Sequence, residues 1–199
     1  ASGLAAARMD SLDIVALAVQ VKTELIADDA FQEADTTGIT RPITKHNVIV
    51  KDVKDLARTI REAFHIATTG RPGPVLIDLP VDVEVSTCEF IPNEQIDLPG
   101  YKIKTKGHSK QVNVAAKAID EAKRPVLYVG GGIITGHASE ELRALADKAN
   151  IPVTMTLMGL GSYPQDDPKS LDMLGMHGSA YGNYAVQESD LLIDRKSVV

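Results

Sequence analysis

Three glycine-rich turns are the stretches of this sequence best suited to bind a ligand through the backbone. Gly130–Gly132 follow Val126–Val129, an apolar run typical of a buried parallel strand. Two further turns, Met158–Gly161 and Leu174–Gly178, come later in the chain. If each follows a strand of one parallel sheet, all three lie along its carboxyl edge, where ligands bind. The pattern favours a nucleotide site, although the first turn lacks the G-x-G-x-x-G spacing and glycines also make purely structural turns.

The other reactive residue types form no recognised catalytic or metal-binding pattern. The five histidines are scattered, without H-x-x-x-H or C-x-x-C spacing, so we predict no metal site. Cys88 lies in a polar segment with no histidine near it in sequence, and we interpret it as a passive thiol. The sequence contains no G-x-S-x-G motif and no Walker loop.

Residues 20–47 form a long segment with little periodicity and no predicted regular element. Such segments are usually functional or disordered, and the apolar residues here, such as Phe31, argue against disorder. One interpretation is a loop that wraps the edge of the sheet. The other is a site loop with Gln32 and Glu33 as its polar groups.

The predicted elements alternate between helix and strand. Val53–Thr69 is predicted to be an amphipathic helix, with Asp52 as its N-cap and Gly70 beyond its end. Its apolar stripe comprises Leu56, Ile60, Ala63, Phe64 and Ala67, and His65 beside it is interpreted as a packed surface histidine. The chain is also predicted to form buried strands at Ile14–Val19 and Val75–Leu79, and a further strand at Val153–Leu157. Helices are predicted at Ser139–Ala149 and Tyr181–Glu188. Another helix is predicted to begin from Ser109, its predicted N-cap, with an apolar stripe that includes Val112, Ala115, Ala116, Ile119 and Ala122. This order predicts an α/β fold with parallel sheets and flanking helices.

Composition sets the broad class and the domain boundaries. With 44% hydrophobic and 24% charged residues, the 199-residue chain is ordinary for a globular protein. Its charge of −6 argues against nucleic acid as a partner, and it has no apolar stretch of about 20 residues that could span a membrane. The single cysteine and the lack of a signal peptide predict a reducing, cytoplasmic location. We predict one domain over 1–82, a linker over 83–108, a second domain over 109–193 and a non-native tail, DRKSVV, over 194–199.

Five segments resemble the catalytic subunit of acetolactate synthase, also called acetohydroxyacid synthase. They are DAFQEADTTGITRPITKHN (29–47), GRPGPVLIDLP (70–80), the Gly130–Gly132 turn, TLMGLGSYP (156–164) and MLGMHGSAYGNYAV (173–186). DAFQE together with LGMHG separates this family from relatives that share only the fold. The resemblance covers essentially all of residues 9–193.

The resemblance implies an enzyme that depends on thiamine diphosphate, Mg²⁺ and FAD. Such an enzyme joins decarboxylated pyruvate to pyruvate or 2-ketobutyrate, the first common step to valine, leucine and isoleucine, with thiamine diphosphate as electron sink. Members of the family are homo-oligomers and can take a regulatory small subunit. The resemblance further implies that residues 1–82 are the end of the pyrimidine-binding domain, and that 109–193 are most of a Rossmann-like (DHS-like) central FAD domain.

The site residues are also implied by this resemblance. Phe31 and Gln32 would face the active site, and Met176 and His177 would lie near the flavin ring and the substrate channel. The implied FAD-binding residues are Arg71, Gly130, Gly131, Gly132, Thr156, Leu157, Met158, Leu174, Gly175, Met176, His177 and Gly178. Arg71 also has a physical rationale, because its planar guanidinium suits phosphate or flavin carbonyl oxygens. The glutamate that protonates the thiamine and the ligands of Mg²⁺ would lie outside this chain, so we expect the chain to be an inactive internal fragment.

Several positions depart from the family pattern. Val81 stands where the family usually has a lysine, and Ala27 stands where it usually has glycine. Further departures are Asp13 and Lys22 at usual prolines and Ala18-Val19 at a usual Thr-Gly. Loss of a glycine costs stability if the position requires a positive φ.

Three alternatives to this function remain open at the level of sequence. The chain could be a stand-alone flavin- or nucleotide-binding α/β module. It could belong to another thiamine-diphosphate enzyme of the same fold, such as glyoxylate carboligase or pyruvate oxidase. It could also be a folded domain that binds nothing.

Overall fold

Parallel β-strands form the centre of two units in this computed structural model, which describes residues 1–92 and 95–195. The boundary between the units lies between Thr105 and Lys106, inside the predicted linker. The strands are β1 (Val15–Gln20), β2 (His46–Ile49), β3 (Val75–Pro80), β4 (Pro125–Val129), β5 (Val153–Met155), β6 (Ser170–Met173) and β7 (Leu191–Arg195). The helices are α1 (Ser2–Asp10), α2 (Thr36–Thr40), α3 (Val53–Thr68), α4 (Val81–Glu84), α5 (Ser109–Glu121), α6 (Gly132–Thr135), α7 (Ser139–Ala149) and α8 (Ala180–Glu188).

The first unit is built on a three-stranded parallel sheet in the order β1-β3-β2. Every residue of the central strand β3 is buried, as its apolar run predicts. Val75 and Ile77 of β3 pack with Ala63 and Ala67 of α3 in the core of this unit. The predicted apolar stripe of α3 is therefore confirmed for these alanines.

Helix α3 begins and ends as predicted, within one residue. The Asp52 side chain accepts a hydrogen bond from the Lys54 N–H, and Gly70 has a φ of +62°. The predicted inward position of Phe64 is wrong, because this ring is 56% exposed while Ile66 is buried. Since each helical residue is rotated by about 100°, Phe64 points past the edge of the stripe.

The second unit contains a four-stranded parallel sheet in the order β6-β5-β4-β7. Leu127 of β4 and Met155 of β5 form its core with Leu142 and Ala146 of α7. Helix α7 ends at Asn150, whose φ of +51° turns the chain out of the helix. Both sheets are parallel and flanked by helices, so the predicted α/β fold is confirmed.

The prediction that the first strand is buried is wrong for two of its side chains. Leu17 and Val19 are 61% and 65% exposed. Strand β1 lies at the edge of its sheet, and α3 packs over the central strand β3, so these two side chains are left uncovered. A short apolar run does not by itself show whether both faces of a strand are covered.

Several short elements were not predicted. Strands β2 and β6 contain polar residues and are only four residues long, so their sequences show no clear alternation of apolar and polar residues. The segment 20–47 was expected to lack regular structure, but Thr23–Leu25 and Arg41–Ile43 form single 3₁₀ turns and Thr36–Thr40 forms α2. Asp35 caps α2 by accepting a hydrogen bond from the Gly38 N–H over 2.8 Å.

Helix α5 differs from its prediction at its start and on its apolar face. Its N-cap is His108, whose side chain makes no capping hydrogen bond, and the predicted N-cap Ser109 is already helical. Val112 is 57% exposed, whereas Ile119 packs against the core of the second unit. The stripe is therefore inward-facing only near its C-terminal end.

Two observations concern the residues at the predicted boundaries. Helix α4 continues the first unit beyond residue 82, because Val83 is buried in its core, and Leu98 and Tyr101 also pack there. Strand β7 includes Asp194 and Arg195, which pair with Tyr128 and Val129, although the tail was predicted to begin at 194. The remainder of that predicted tail, 196–199, lies outside the described residues. No helix among the described residues is both long and apolar enough to cross a membrane.

Candidate functional site

The carboxyl edge of the second unit's sheet brings the three glycine-rich turns together. Strands β4, β5 and β6 are neighbours and run parallel, so their carboxyl ends lie side by side. Gly130–Gly132 follow β4, the 3₁₀ turn Leu157–Gly159 follows β5, and Leu174–Gly178 follow β6. The geometry therefore places these predicted positions where parallel sheets bind ligands.

Two glycines allow the first and second turns to pack against each other. A Cβ on Gly159 would lie 2.3 Å from the carbonyl oxygen of Val129, and one on Gly131 would lie 3.0 Å from that of Met158. The Thr156 hydroxyl accepts a hydrogen bond from the Gly159 N–H over 3.1 Å, which fixes the second turn. These residues therefore have a structural role in the turns.

The edge also carries apolar side chains that are more than half exposed. Leu157 is 70% exposed, Met158 is 52% exposed and Met176 is 91% exposed. The neighbouring His177 is exposed as well. Large apolar groups beside bare glycine backbone suit a flat, largely apolar ligand with polar substituents.

A cavity of about 640 Å³ lies elsewhere in the second unit. It is lined by the start of α7 and the segment 160–165, including Arg143 and Tyr163. It shares Leu160 and Gly161 with the second glycine-rich turn, but contains none of the individually predicted FAD-binding residues. Tyr163 is buried and its hydroxyl has no hydrogen-bond partner among the described residues. Burial, and then the nearby Asp167, raise the pKa of Tyr163.

In the first unit, the predicted catalytic residues lie on an exposed and strained loop. Phe31 is 89% exposed, and Gln32 is exposed with a φ of +65°. Ala27 and Asp29 in the same loop have φ values of +76° and +53°. Non-glycine residues rarely adopt this left-handed region, and such strain clusters at functional sites.

Glu33 holds this loop in shape. Its carboxylate accepts hydrogen bonds from the N–H groups of Ala27 and Ala30. These bonds, that of Ala27 first, lower the pKa of Glu33. The sequence predicts Glu33 as a polar group of a site loop, and in the structure its carboxylate binds the backbone of its own loop.

Sequence reasoning missed a buried polar pair at the carboxyl end of β1 and β3. The Gln20 Nε2 group donates to the carbonyl oxygen of Ala34 over 2.7 Å and to the Asp78 Oδ2 atom over 3.3 Å. Asp78 is fully buried, and its Oδ1 atom has no partner among the described residues. Burial raises the pKa of Asp78. The available signal was a charged residue inside the apolar run VLIDLP.

Arg71 lies in the first unit, whereas the other predicted cofactor residues lie in the second. Its Nε donates to the Ser11 hydroxyl over 2.9 Å, and its Nη2 donates to the Met9 carbonyl over 3.3 Å. The guanidinium thus links the end of α1 to the turn before β3. Among the described residues, no group of three or more His, Cys, Asp or Glu side chains is placed to hold a metal ion.

Comparison with known proteins adds the family context. Residues 112–193 match the family described as thiamine pyrophosphate enzyme, central domain. The chain is 53% identical over 190 residues to acetolactate synthase of Mycobacterium leprae. It is 52% identical over 195 residues to the probable acetolactate synthase large subunit of Methanocaldococcus jannaschii, and 50% identical over 199 residues to the chloroplastic acetolactate synthase of Arabidopsis thaliana.

These matches differ in how much of each protein they cover. Each covers 96% of this chain but only 30%, 33% and 29% of the three relatives. The chain therefore spans about a third of the length of the curated relatives it matches. The predicted resemblance is confirmed, and the matches support a segment of an acetolactate synthase.

Proposed function

We propose that this chain is a segment of an acetolactate synthase large subunit, and that its two units contribute to the cofactor and substrate sites of such an enzyme. The parent enzyme would condense pyruvate-derived hydroxyethyl-thiamine diphosphate with pyruvate or 2-ketobutyrate. It would act as a homo-oligomer, with a possible regulatory subunit. The observation that carries this proposal is the similarity over 96% of the chain together with the three adjacent turns.

The residues at the carboxyl edge of the second unit fit FAD. The partly exposed backbone of Gly131 and Gly132, after the buried Gly130, admits close approach by phosphate or ribose, and Leu157, Met158 and Met176 offer apolar surface to a flat ring. His177 adds a polar group beside Met176. We therefore assign the FAD-binding role to the three turns, including Thr156, Leu174, Gly175 and Gly178. The flavin would have no net redox role in this reaction.

In the first unit, we assign Phe31 and Gln32 to the substrate-facing loop. Both side chains are exposed. The loop is held by the Glu33 carboxylate, which binds the Ala30 N–H, and by the Gln20 amide, which binds the Ala34 carbonyl. Thiamine diphosphate, bound with Mg²⁺, would supply the electron sink for decarboxylation. The loop would orient substrate and exclude water beside it. Arg71 stays a proposed FAD contact, with a planar guanidinium suited to phosphate.

FAD binding by the full chain tests this proposal. We expect FAD fluorescence to be quenched on titration with the protein, and the thermal midpoint to rise as FAD is added. Met176→Asp should weaken binding at least about tenfold, because it puts a carboxylate where the ring would lie. The residue is 91% exposed, so the fold should not change.

Val114→Asp is the matched control, since Val114 is 63% exposed on α5 of the same unit. Equal FAD affinity in the two variants would contradict the placement of the flavin. A chain that binds no FAD at all would contradict the cofactor assignment. Because the relatives are about three times as long as this chain, we expect the chain alone to form no acetolactate from pyruvate, thiamine diphosphate and Mg²⁺.

A further inference from the structure

One side chain holds the N-terminal end of the third glycine-rich turn. The Asn183 Oδ1 atom, on α8, accepts a hydrogen bond from the Gly175 N–H over 2.8 Å. The Asn183 Nδ2 group donates to the carbonyl oxygen of Gly175 over 2.9 Å and to that of Ser179 over 3.1 Å. The carboxamide therefore binds Gly175 in the two-bond manner of a paired β-strand.

These Asn183 hydrogen bonds form a clamp on Gly175, whose carbonyl also accepts a hydrogen bond from the Gly178 N–H over 3.0 Å within the turn. At its other end, the Ser179 N–H donates to the Met173 carbonyl over 2.8 Å, and a Cβ on Gly178 would lie 2.2 Å from that oxygen. Gly175 has a φ of +102°, and a Cβ added to it would have no described atom within 4 Å. A glycine with this freedom has many alternative conformations, and the Asn183 side chain selects one of them.

Helix α8 is itself fixed against β6, which gives the clamp a rigid base. The Ser179 hydroxyl caps α8 by accepting from the Gly182 N–H over 3.0 Å, and it donates to the Leu171 carbonyl over 2.8 Å. A Cβ on Gly182 would lie 2.8 Å from that same carbonyl, so the helix approaches the strand closely. Asn183 follows directly and is therefore held in place by the sheet.

We infer that Asn183 is a positioning residue for the flavin site: it holds the turn Leu174–Gly178 in the shape that presents Met176 and His177 to the ligand. The inference rests on the proposed function, because it assumes that this turn contacts FAD. Asn183 itself is not assigned a contact with the flavin. Its effect on binding would be transmitted through Gly175.

The test compares Asn183→Ala and Asn183→Asp with Asn113→Ala, an exposed asparagine on α5. Asn183→Asp keeps the acceptor for the Gly175 N–H but places a carboxylate against two carbonyl oxygens. We expect both Asn183 variants to raise the Kd for FAD roughly 5- to 100-fold, since up to three hydrogen bonds are lost. Asn113→Ala should leave the Kd unchanged.

Amide hydrogen exchange without FAD separates positioning from general stability. We expect faster exchange at Gly175 in Asn183→Ala, which removes the acceptor of the Gly175 N–H, with unchanged exchange at Leu127 and Met155 in the core strands of both Asn183 variants. Faster exchange across all four strands would indicate a general folding role and overturn the inference. Unchanged FAD affinity in the Asn183 variants, with a wild-type chain that binds FAD, would overturn this inference alone. A wild-type chain that binds no FAD would overturn it together with the cofactor assignment.

Discussion

Ala27 stands at a position whose backbone conformation suits glycine. Its φ of +76° lies in the left-handed region, and the resemblance to the acetolactate synthase family implies a usual glycine at this position. The Glu33 carboxylate holds the Ala27 N–H, so the loop keeps this conformation despite the steric cost of the Cβ. The sequence departure thus has a direct structural consequence.

We expect Ala27→Gly to raise the free energy of unfolding of the first unit by about 0.5–1 kcal/mol, because it removes the steric cost of the Cβ in this conformation and only part of that gain is offset by chain entropy. Urea denaturation followed by circular dichroism would measure it. Ala30→Gly, in the same loop but outside the left-handed region, should be destabilising by a similar amount. A destabilising Ala27→Gly would show that the steric cost is small.

At the scale of elements, the Gln20–Asp78 pair joins β1 and β3 to the loop before α2. Asp78 is buried with one unpartnered oxygen, and burial raises its pKa above the ordinary value of 3.8. The hydrogen bond from Gln20 opposes this shift, and the charge of Asp35 adds to it. In the folded state Asp78 therefore holds its proton to a higher pH than in the unfolded chain.

Because the pKa of Asp78 is raised, we expect the free energy of unfolding of the unsubstituted chain to fall as pH rises, when compared with that of the Asp78→Asn variant. Below 3.8 the carboxyl is neutral in both states; between 3.8 and the raised pKa the folded state binds more protons, so rising pH favours unfolding. Above the raised pKa the difference should level off. Urea unfolding from pH 4 to pH 8 would measure it, with the exposed Asp10→Asn as control. A pH-independent difference would contradict the raised pKa.

For the whole molecule, each unit has its own sheet and its own buried core. In the first unit Leu17 and Ile77 are register partners on adjacent strands, but Ile77 is fully buried and Leu17 is 61% exposed. Because the two residues occupy matching positions on paired strands, substituting each one in turn shows the effect of burial on stability.

We expect Ile77→Ala to lower the free energy of unfolding of the first unit by about 2–5 kcal/mol, through lost transfer energy and a cavity. Leu17→Ala should cost less than about 1 kcal/mol, because most of its side chain is already in water. Hydrogen exchange of the β3 amides would measure both. Similar effects would show that Leu17 is covered in solution.

The sequence alone determined the elements that depend on local periodicity and side-chain type. These include the capped helix α3, the buried strands β3 and β4, and the glycine turns that follow the strands. The family resemblance also came from the sequence, because DAFQE and LGMHG are contiguous motifs. Short polar strands such as β6 could not be predicted, because a four-residue segment shows too little periodicity.

Only the tertiary structure decided which side chains these elements bring together. It placed the Glu33 carboxylate on its own loop, left Leu17 exposed at the edge of a sheet and brought the Asn183 amide to Gly175. Each result depends on which segments lie beside each other in space and on the direction of one side chain. Periodicity records the face that a residue occupies, whereas hydrogen-bond partners are set by distances of about 3 Å between segments.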